Sequence, residues 1–199
     1  MSALPESTPR FDIFTIGHSN HPIDRFVALL TGAGITALID VRSQPFSRRY
    51  PWFSATRLSN HLEQASIAFM PMGEALGGRP RDPRLFRDGV ADYEAMARTS
   101  EFRGGIDRVI AATRHFRSCL MCAEREPLDC HRCLLVAPAL VARGLRIGHI
   151  LVDGRIMAHE AIEERLLAGS DDLFLGDRPA RLAQAYRRRT QAVAFRARA

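Results

Sequence analysis

The sequence predicts a single α/β domain, a mainly parallel sheet of about five strands with helices on both faces. Three observations point there. Short apolar segments alternate along the chain with longer stretches of helical periodicity. Those segments are apolar throughout and do not alternate with polar residues, the pattern of strands covered on both faces. The composition, 199 residues with 46% hydrophobic and 25% charged, is that of a folded globular chain.

Residues 1–10, polar and containing Pro, are expected to be a disordered leader. FDIFTIG (11–17) is the first buried strand, and HPIDRFVALLTGAG is a helix with Pro22 early and Gly32 or Gly34 near its stop. TALIDVR (36–42) is the second strand. Ser54 is placed to cap a helix over 55–65, and IAFMPMG (67–73) is the third strand. Residues 74–89, rich in Gly, Pro and Arg, form a long loop. Helical patterns over 90–99 and 102–116 lead to a fourth strand, SCLMCAE (118–124). A helix over 130–143 follows, in which Pro138 forces a kink or a change of register, and RIGHILVDG (146–154) is the fifth strand. Amphipathic stretches over 157–168 and 179–195 close the chain, the last with Leu182, Tyr186 and Val193 on one docking face and its arginines outward. The domain therefore spans 11–177, with a basic C-terminal helix or tail over 178–199.

All 28 basic residues are Arg; there is no Lys. This excludes a Schiff-base lysine and a Walker A lysine. The formal charge of +6 is concentrated at the end of the chain: seven Arg and no acid follow Asp177, and residues 1–177 carry 21 Arg against all 22 acids. No apolar run is long enough to span a membrane, and MSALPESTPR lacks the order of a signal peptide, so a cytoplasmic protein is expected. In that compartment Cys119, Cys122, Cys130 and Cys133 are reduced thiols, metal ligands or catalytic groups.

Ligands of open α/β sheets bind outside the carboxyl ends of the strands. The residues there are Gly17-His18-Ser19-Asn20, Asp40-Val41-Arg42-Ser43, Gly73-Glu74, Cys122-Ala123-Glu124 and Asp153-Gly154. TIGHS (15–19), LIDVRSQPFSRRY (38–50), ALGGRP (75–80) and MCAEREPLDCHR (121–132), followed by HILVDG (149–154), resemble the uncharacterised family called domain of unknown function 488 over roughly 11–154. The resemblance implies a paired-Cys segment ending in Cys-His-Arg and some enzymatic activity, with no settled reaction. Its pattern falls on His18, Ser19, Asp40, Arg42, Pro45, Ser47, Arg48, Cys122, Glu124, Cys130, His131 and Arg132. Cys119 and Cys133 lie outside it.

Taken physically, Cys130 follows Pro127-Leu128-Asp129 at the expected helix start, where free N–H groups, Arg132 and a protonated His131 favour a thiolate. Cys122 or Cys130 is the candidate nucleophile or ligand, with His18 and Glu124 as acid/base groups. Ser19, Asp40, Arg42, Ser47, Arg48, His131 and Arg132 are candidate substrate contacts, the arginines gripping a phosphate or carboxylate. Buried inert cysteines, an Asp40–Arg42 pair pinning two loops, and a structural His18 are the plainer readings. A Cys-only zinc site is disfavoured by the seven-residue spacer between Cys122 and Cys130, and because Cys119 and Cys122 point to opposite sides of a strand. A mixed site of Cys122, Cys130 and His131, or redox exchange at Cys130-x-x-Cys133, stays open. No metal ligand is assigned, and the cofactor is left unknown. Pro45 to Phe53 interleaves Arg with aromatics, suited to stacking on bases or to plugging the core. His149 and His159 have no supporting constellation. The partners expected are a small anionic substrate or nucleic acid, with no membrane; the oligomeric state is left unknown.

Overall fold

The computed structural model describes residues 10–169 and 176–197, so most of the expected leader lies outside it. The elements in chain order are β1 (Ile13–Gly17), α1 (Ile23–Gly32), β2 (Ala37–Asp40), α2 (Ala55–Gln64), β3 (Ala68–Pro71) and α3 (Gly73–Leu76). A small hairpin, β4 (Phe86–Arg87) and β5 (Val90–Ala91), precedes α4 (Tyr93–Ala97), α5 (Ser100–Thr113) and β6 (Ser118–Cys122). A π turn (Arg132–Val136) then runs into α6 (Ala137–Val141), followed by β7 (Ile147–Ile150), β8 (Ile156–Ala158), α7 (His159–Ala168) and α8 (Arg178–Val193).

The fold is α/β, with one six-stranded sheet in the order β3-β2-β6-β1-β7-β8. The five strands expected from the sequence are all present and all parallel. The sixth, β8, is antiparallel to β7 and takes Met157 and Ala158, which the helical periodicity had placed in the following helix. Three residues on an edge carry no period that sequence can resolve.

Strands β1, β2, β6 and β7 are buried at every position because the sheet is covered on both sides. One layer packs Phe26, Leu30, Phe53, Leu58 and Leu62 against Phe14, Ile16 and Leu38. The other packs Ile106, Val109, Leu134 and Leu140 against Ile13, Ile39 and Leu120. At ~25 cal/mol per Å² of apolar surface removed from water, these two layers supply the main stabilisation.

The expected helix over 130–143 is broken up. A 3₁₀ turn (Pro127–Asp129) comes first, Cys130 is extended (φ −135°, ψ 139°), and helical structure begins only after it. Pro138 stands in the first turn of α6 with the π turn immediately before it. A proline has no N–H for the regular ladder, and widening the preceding turn accommodates its ring. In the loop expected over 74–89, α3 and β4 form, and β5 takes Val90 and Ala91 from the expected helix start.

Helix α8 docks through Ala185 and Tyr186; Arg178, Arg187 and Arg188 are exposed, as expected, while Arg181 and Arg189 are half-buried. Arg178 pairs with Glu164, Arg187 with Glu94 and Arg189 with Asp129; beyond the helix the Phe195 carbonyl accepts from the Ala91 N–H and the Ala197 N–H donates to the Gly89 carbonyl, joining this segment to the β4–β5 hairpin. Leu182 and Val193 also pack on the body, as the spacing predicted.

Candidate functional site

A cleft of about 690 Å³ opens at the carboxyl ends of β1, β2 and β6. These are the three central parallel strands apart from β7. Asp153 and Glu74, which follow β7 and β3, do not line it. Gly17 permits the closure of this end: a Cβ there would sit 1.9 Å from the Glu124 carbonyl oxygen.

The cleft floor is built on two buried groups of polar side chains. In the first, Asp40 and Arg42, separated by one residue, form a bidentate pair, with Arg42 Nε donating to Asp40 Oδ1 at 2.8 Å and Nη2 to Oδ2 at 2.6 Å. Both are buried. Arg42 Nη1 donates to His18 Nε2 at 3.3 Å, and His18 Nδ1–H donates to the Ser19 carbonyl at 2.9 Å. Both His18 nitrogens are therefore engaged, and its ring stacks on Phe53 with centroids 4.2 Å apart. Burial, with the Arg42 charge adding to it, lowers the His18 pKa to about 4, so the imidazole is neutral. Ser19, beside it, has a left-handed backbone (φ 49°), uncommon for a residue with a side chain.

The second group joins the two ends of the CAEREPLDCHR segment. The thiols of Cys122, the last residue of β6, and Cys130 both donate to Glu124 Oε2, at 2.9 and 3.0 Å. His131 Nδ1 lies 3.6 Å from the first sulfur and 3.9 Å from the second. His131 Nε2–H donates to the Val41 carbonyl at 2.9 Å, which fixes the ring and leaves the Nδ1 lone pair toward the sulfurs. The four ligating atoms lie within 4.8 Å of one another. Behind them Arg132, 1% exposed, donates to the Glu124 and Arg125 carbonyls at 2.6 and 3.1 Å. Its backbone N–H points to Cys130 Sγ at 3.4 Å.

Burial pushes the Cys122 thiol far up, and its hydrogen bond with Cys130 adds to this. Burial opposes ionisation of Cys130 as well, but the Cys122 hydrogen bond and the charges of Arg132 and His131 outweigh it and draw its pKa below the ordinary thiol value. Burial, with the Cys130 charge, raises Glu124 above the usual carboxylate range. Burial works against a charged His131, yet the neighbouring Cys130 charge raises its pKa overall.

Of the residues singled out in the sequence, His18, Ser19, Arg42, Ser47, Cys122, Glu124 and His131 line the cleft. Asp40, Cys130 and Arg132 stand directly behind that lining, each bonded to a residue of it. Arg48 is exposed and outside the lining. The cationic rim is instead Arg49, Arg79 and Arg125, and Tyr93 faces the sulfurs from α4. Arg79 comes from the Arg-rich loop over 74–89, which the sequence offers as a cover for this rim; Tyr93 was missed by sequence reasoning. In the aromatic stretch, Phe53 is fully buried and Trp52 Nε1–H donates to the His21 carbonyl at 3.1 Å, whereas Phe46 is 67% exposed on the cleft. Plugging and exposure thus divide one segment.

Cys119 points to the opposite side of the sheet, into the layer under α1 and α2. Cys133 lies with His149 and His159, ligating atoms again within 4.8 Å, in a second buried cluster. Cys130 shares Glu124 Oε2 with Cys122, whereas Cys133 belongs to the other cluster. His149 and His159, unassigned from sequence, belong to a chain of hydrogen bonds from the Thr15 hydroxyl to His149 Nδ1 (2.8 Å), from His149 Nε2 to His159 Nδ1 (2.9 Å), then to the Tyr186 hydroxyl (3.0 Å) and Glu163 (3.2 Å).

A family model described as "Domain of unknown function DUF488" matches residues 22–138, more than half of the chain. Comparison with curated proteins and with solved structures gives no match.

Proposed function

The chain belongs to the DUF488 family, and since that premise carries no reaction with it, we propose from the site itself an enzyme acting on an anionic, phosphate-bearing or nucleic-acid-derived substrate. The reaction takes place at the Cys122–Glu124–Cys130–His131 centre, in hydrolysis or group transfer. The observation that carries this reading is convergence: two sulfurs, a carboxylate and an imidazole meet on the floor of a cleft whose rim is arginine.

Cys122, Glu124 and His131 reach the cleft and so touch substrate or reacting atoms. Cys130 and Arg132 hold them from behind. Arg49, Arg79 and Arg125 take the anion, as the guanidinium fork suits phosphate and carboxylate. Arg42, pinned by Asp40 and bonded to His18, offers the substrate only its remaining N–H groups, and His18 is a positioning residue with Ser19 and Ser47 beside it. Arg48 is a peripheral contact. Among the described residues no helix is long and apolar enough to cross a membrane; a cytoplasmic setting, which keeps thiols reduced, completes the proposal.

The test is turnover of a panel of phosphate mono- and diesters and nucleotides. Cys122→Ala is expected to lower kcat by ~10²-fold or more with substrate affinity retained, and Arg79→Ala to raise KM with kcat little changed. Exposed Phe46 at the cleft favours one second reading, a nucleotide-binding module that stacks a base there. Steeply salt-dependent binding of oligonucleotides, unaffected by Cys122→Ala and without turnover, would establish that module and overturn the enzyme.

A further inference from the structure

We infer that Cys122 Sγ, Cys130 Sγ, His131 Nδ1 and a Glu124 carboxylate oxygen form a binding site for a thiophilic divalent cation of the zinc class. This rests on the reading of the same centre as the functional site and adds to it the cofactor. Three features beyond proximity support it.

The first is the short approach of two sulfurs, at 2.9 and 3.0 Å, to a single oxygen atom, Glu124 Oε2. In the free protein the two thiol protons bridge these atoms, and a cation that displaces both protons would find three ligand atoms already gathered around it. The second is the orientation of His131. Its outer N–H is held by a backbone carbonyl, and its inner nitrogen turns a lone pair to the sulfurs, the arrangement that fixes a metal-bound imidazole.

The third is charge. Arg132 is buried, cannot lose its proton, makes no ion pair among the described residues, and leaves its Nε without a hydrogen-bond partner. A buried guanidinium needs a counter-charge nearby. Two thiolates and one carboxylate bring three negative charges; a divalent cation and Arg132 bring three positive ones, and the centre is neutral. With no cation, Arg132 balances one such charge and a protonated His131 a second, so the three acidic groups cannot all be ionised without leaving a net negative charge in a buried place.

Two sulfurs, one nitrogen and one oxygen suit zinc and exclude magnesium or calcium, which take oxygen ligands. With Cys122, Glu124 and His131 on the cleft floor, the bound cation faces the substrate space. The second cluster, Cys133 with His149 and His159, offers three ligating atoms, but its imidazoles are already satisfied by protons along the chain from Thr15 to Glu163. One cation per chain is therefore expected.

The experiment uses the full chain, purified without chelator from cells supplied with zinc, with elemental analysis and cobalt(II) titration followed through its sulfur charge-transfer absorption. The expected result is one metal per chain, lost in Cys122→Ser and Cys130→Ser, with cobalt affinity lowered at least ~10-fold in Glu124→Ala. If the cysteine variants do not fold, the wild-type thiols decide: Cys122 and Cys130 should react with a disulfide reagent only after chelation. A folded protein without stoichiometric metal, whose two thiols react equally with and without chelator, overturns the site. So does a metal equivalent that survives both cysteine substitutions. Metal is read without substrate, so the two conclusions fail separately: a loaded protein with no turnover removes the enzyme, and a metal-free protein with turnover removes the cation.

Discussion

At the scale of the residue, Asp40 and Arg42 show how a sequence neighbourhood becomes a buried device. Their spacing places both on one strand face, and the pair is bidentate and dry. Such a pair contributes little net stability relative to an apolar replacement, but removing one partner leaves an uncompensated charge. Asp40→Ala is accordingly expected to destabilise the fold by ~3–5 kcal/mol in urea unfolding, and a loss under ~1 kcal/mol would mean that water reaches the guanidinium. The pairing was legible in the sequence as one of two readings; that the same guanidinium also holds His18 was not, because 24 residues separate them and only the parallel alignment of β1 and β2 around β6 brings them together.

At the scale of the element, the segment between β6 and α6 makes the centre. β6 delivers Cys122, the 3₁₀ turn reverses the chain, and the extended Cys130 turns its sulfur back toward Glu124 before the π turn begins. A regular helix from residue 130, as the periodicity predicted, would not supply that reversal. The loop after α3 presses on the same place: Gly78 packs so closely that a Cβ would lie 2.7 Å from the His131 Cβ and Cγ. Gly78→Ala is expected to leave the protein folded but displace the imidazole, which lowers cobalt affinity and catalytic turnover together. Unchanged values of both would show that the loop yields instead of His131. ALGGRP is thus a motif of close approach, and sequence alone offered it only as part of a resemblance.

For the whole molecule, the chain of Thr15, His149, His159, Tyr186 and Glu163 ties the sheet to α7 and α8, and it depends on neutral imidazoles. Burial lowers His149 well below its ordinary range and His159 to about 4, against about 6.5 in an unfolded chain. Below pH 6.5 the unfolded state therefore binds more protons than the folded one. Stability is full above that pH and declines as pH falls from 6.5 toward 4, by at most ~1.4 kcal/mol per pH unit for each histidine. Urea midpoints at pH 7 and pH 5 measure this, and His159→Gln should flatten the dependence; an equal slope in the variant would place the titrating groups elsewhere. The sequence by itself determined the strands, their parallel α/β arrangement and the residues at their carboxyl ends, because hydrophobic period and chain order are local properties. Tertiary structure decided the edge strand β8, the ion-paired docking of α8, the places of Arg49 and Arg125 at the rim, the joining of Cys122 to Cys130 and the histidine chain. These depend on contacts between residues distant in sequence, and only the packed sheet sets such distances.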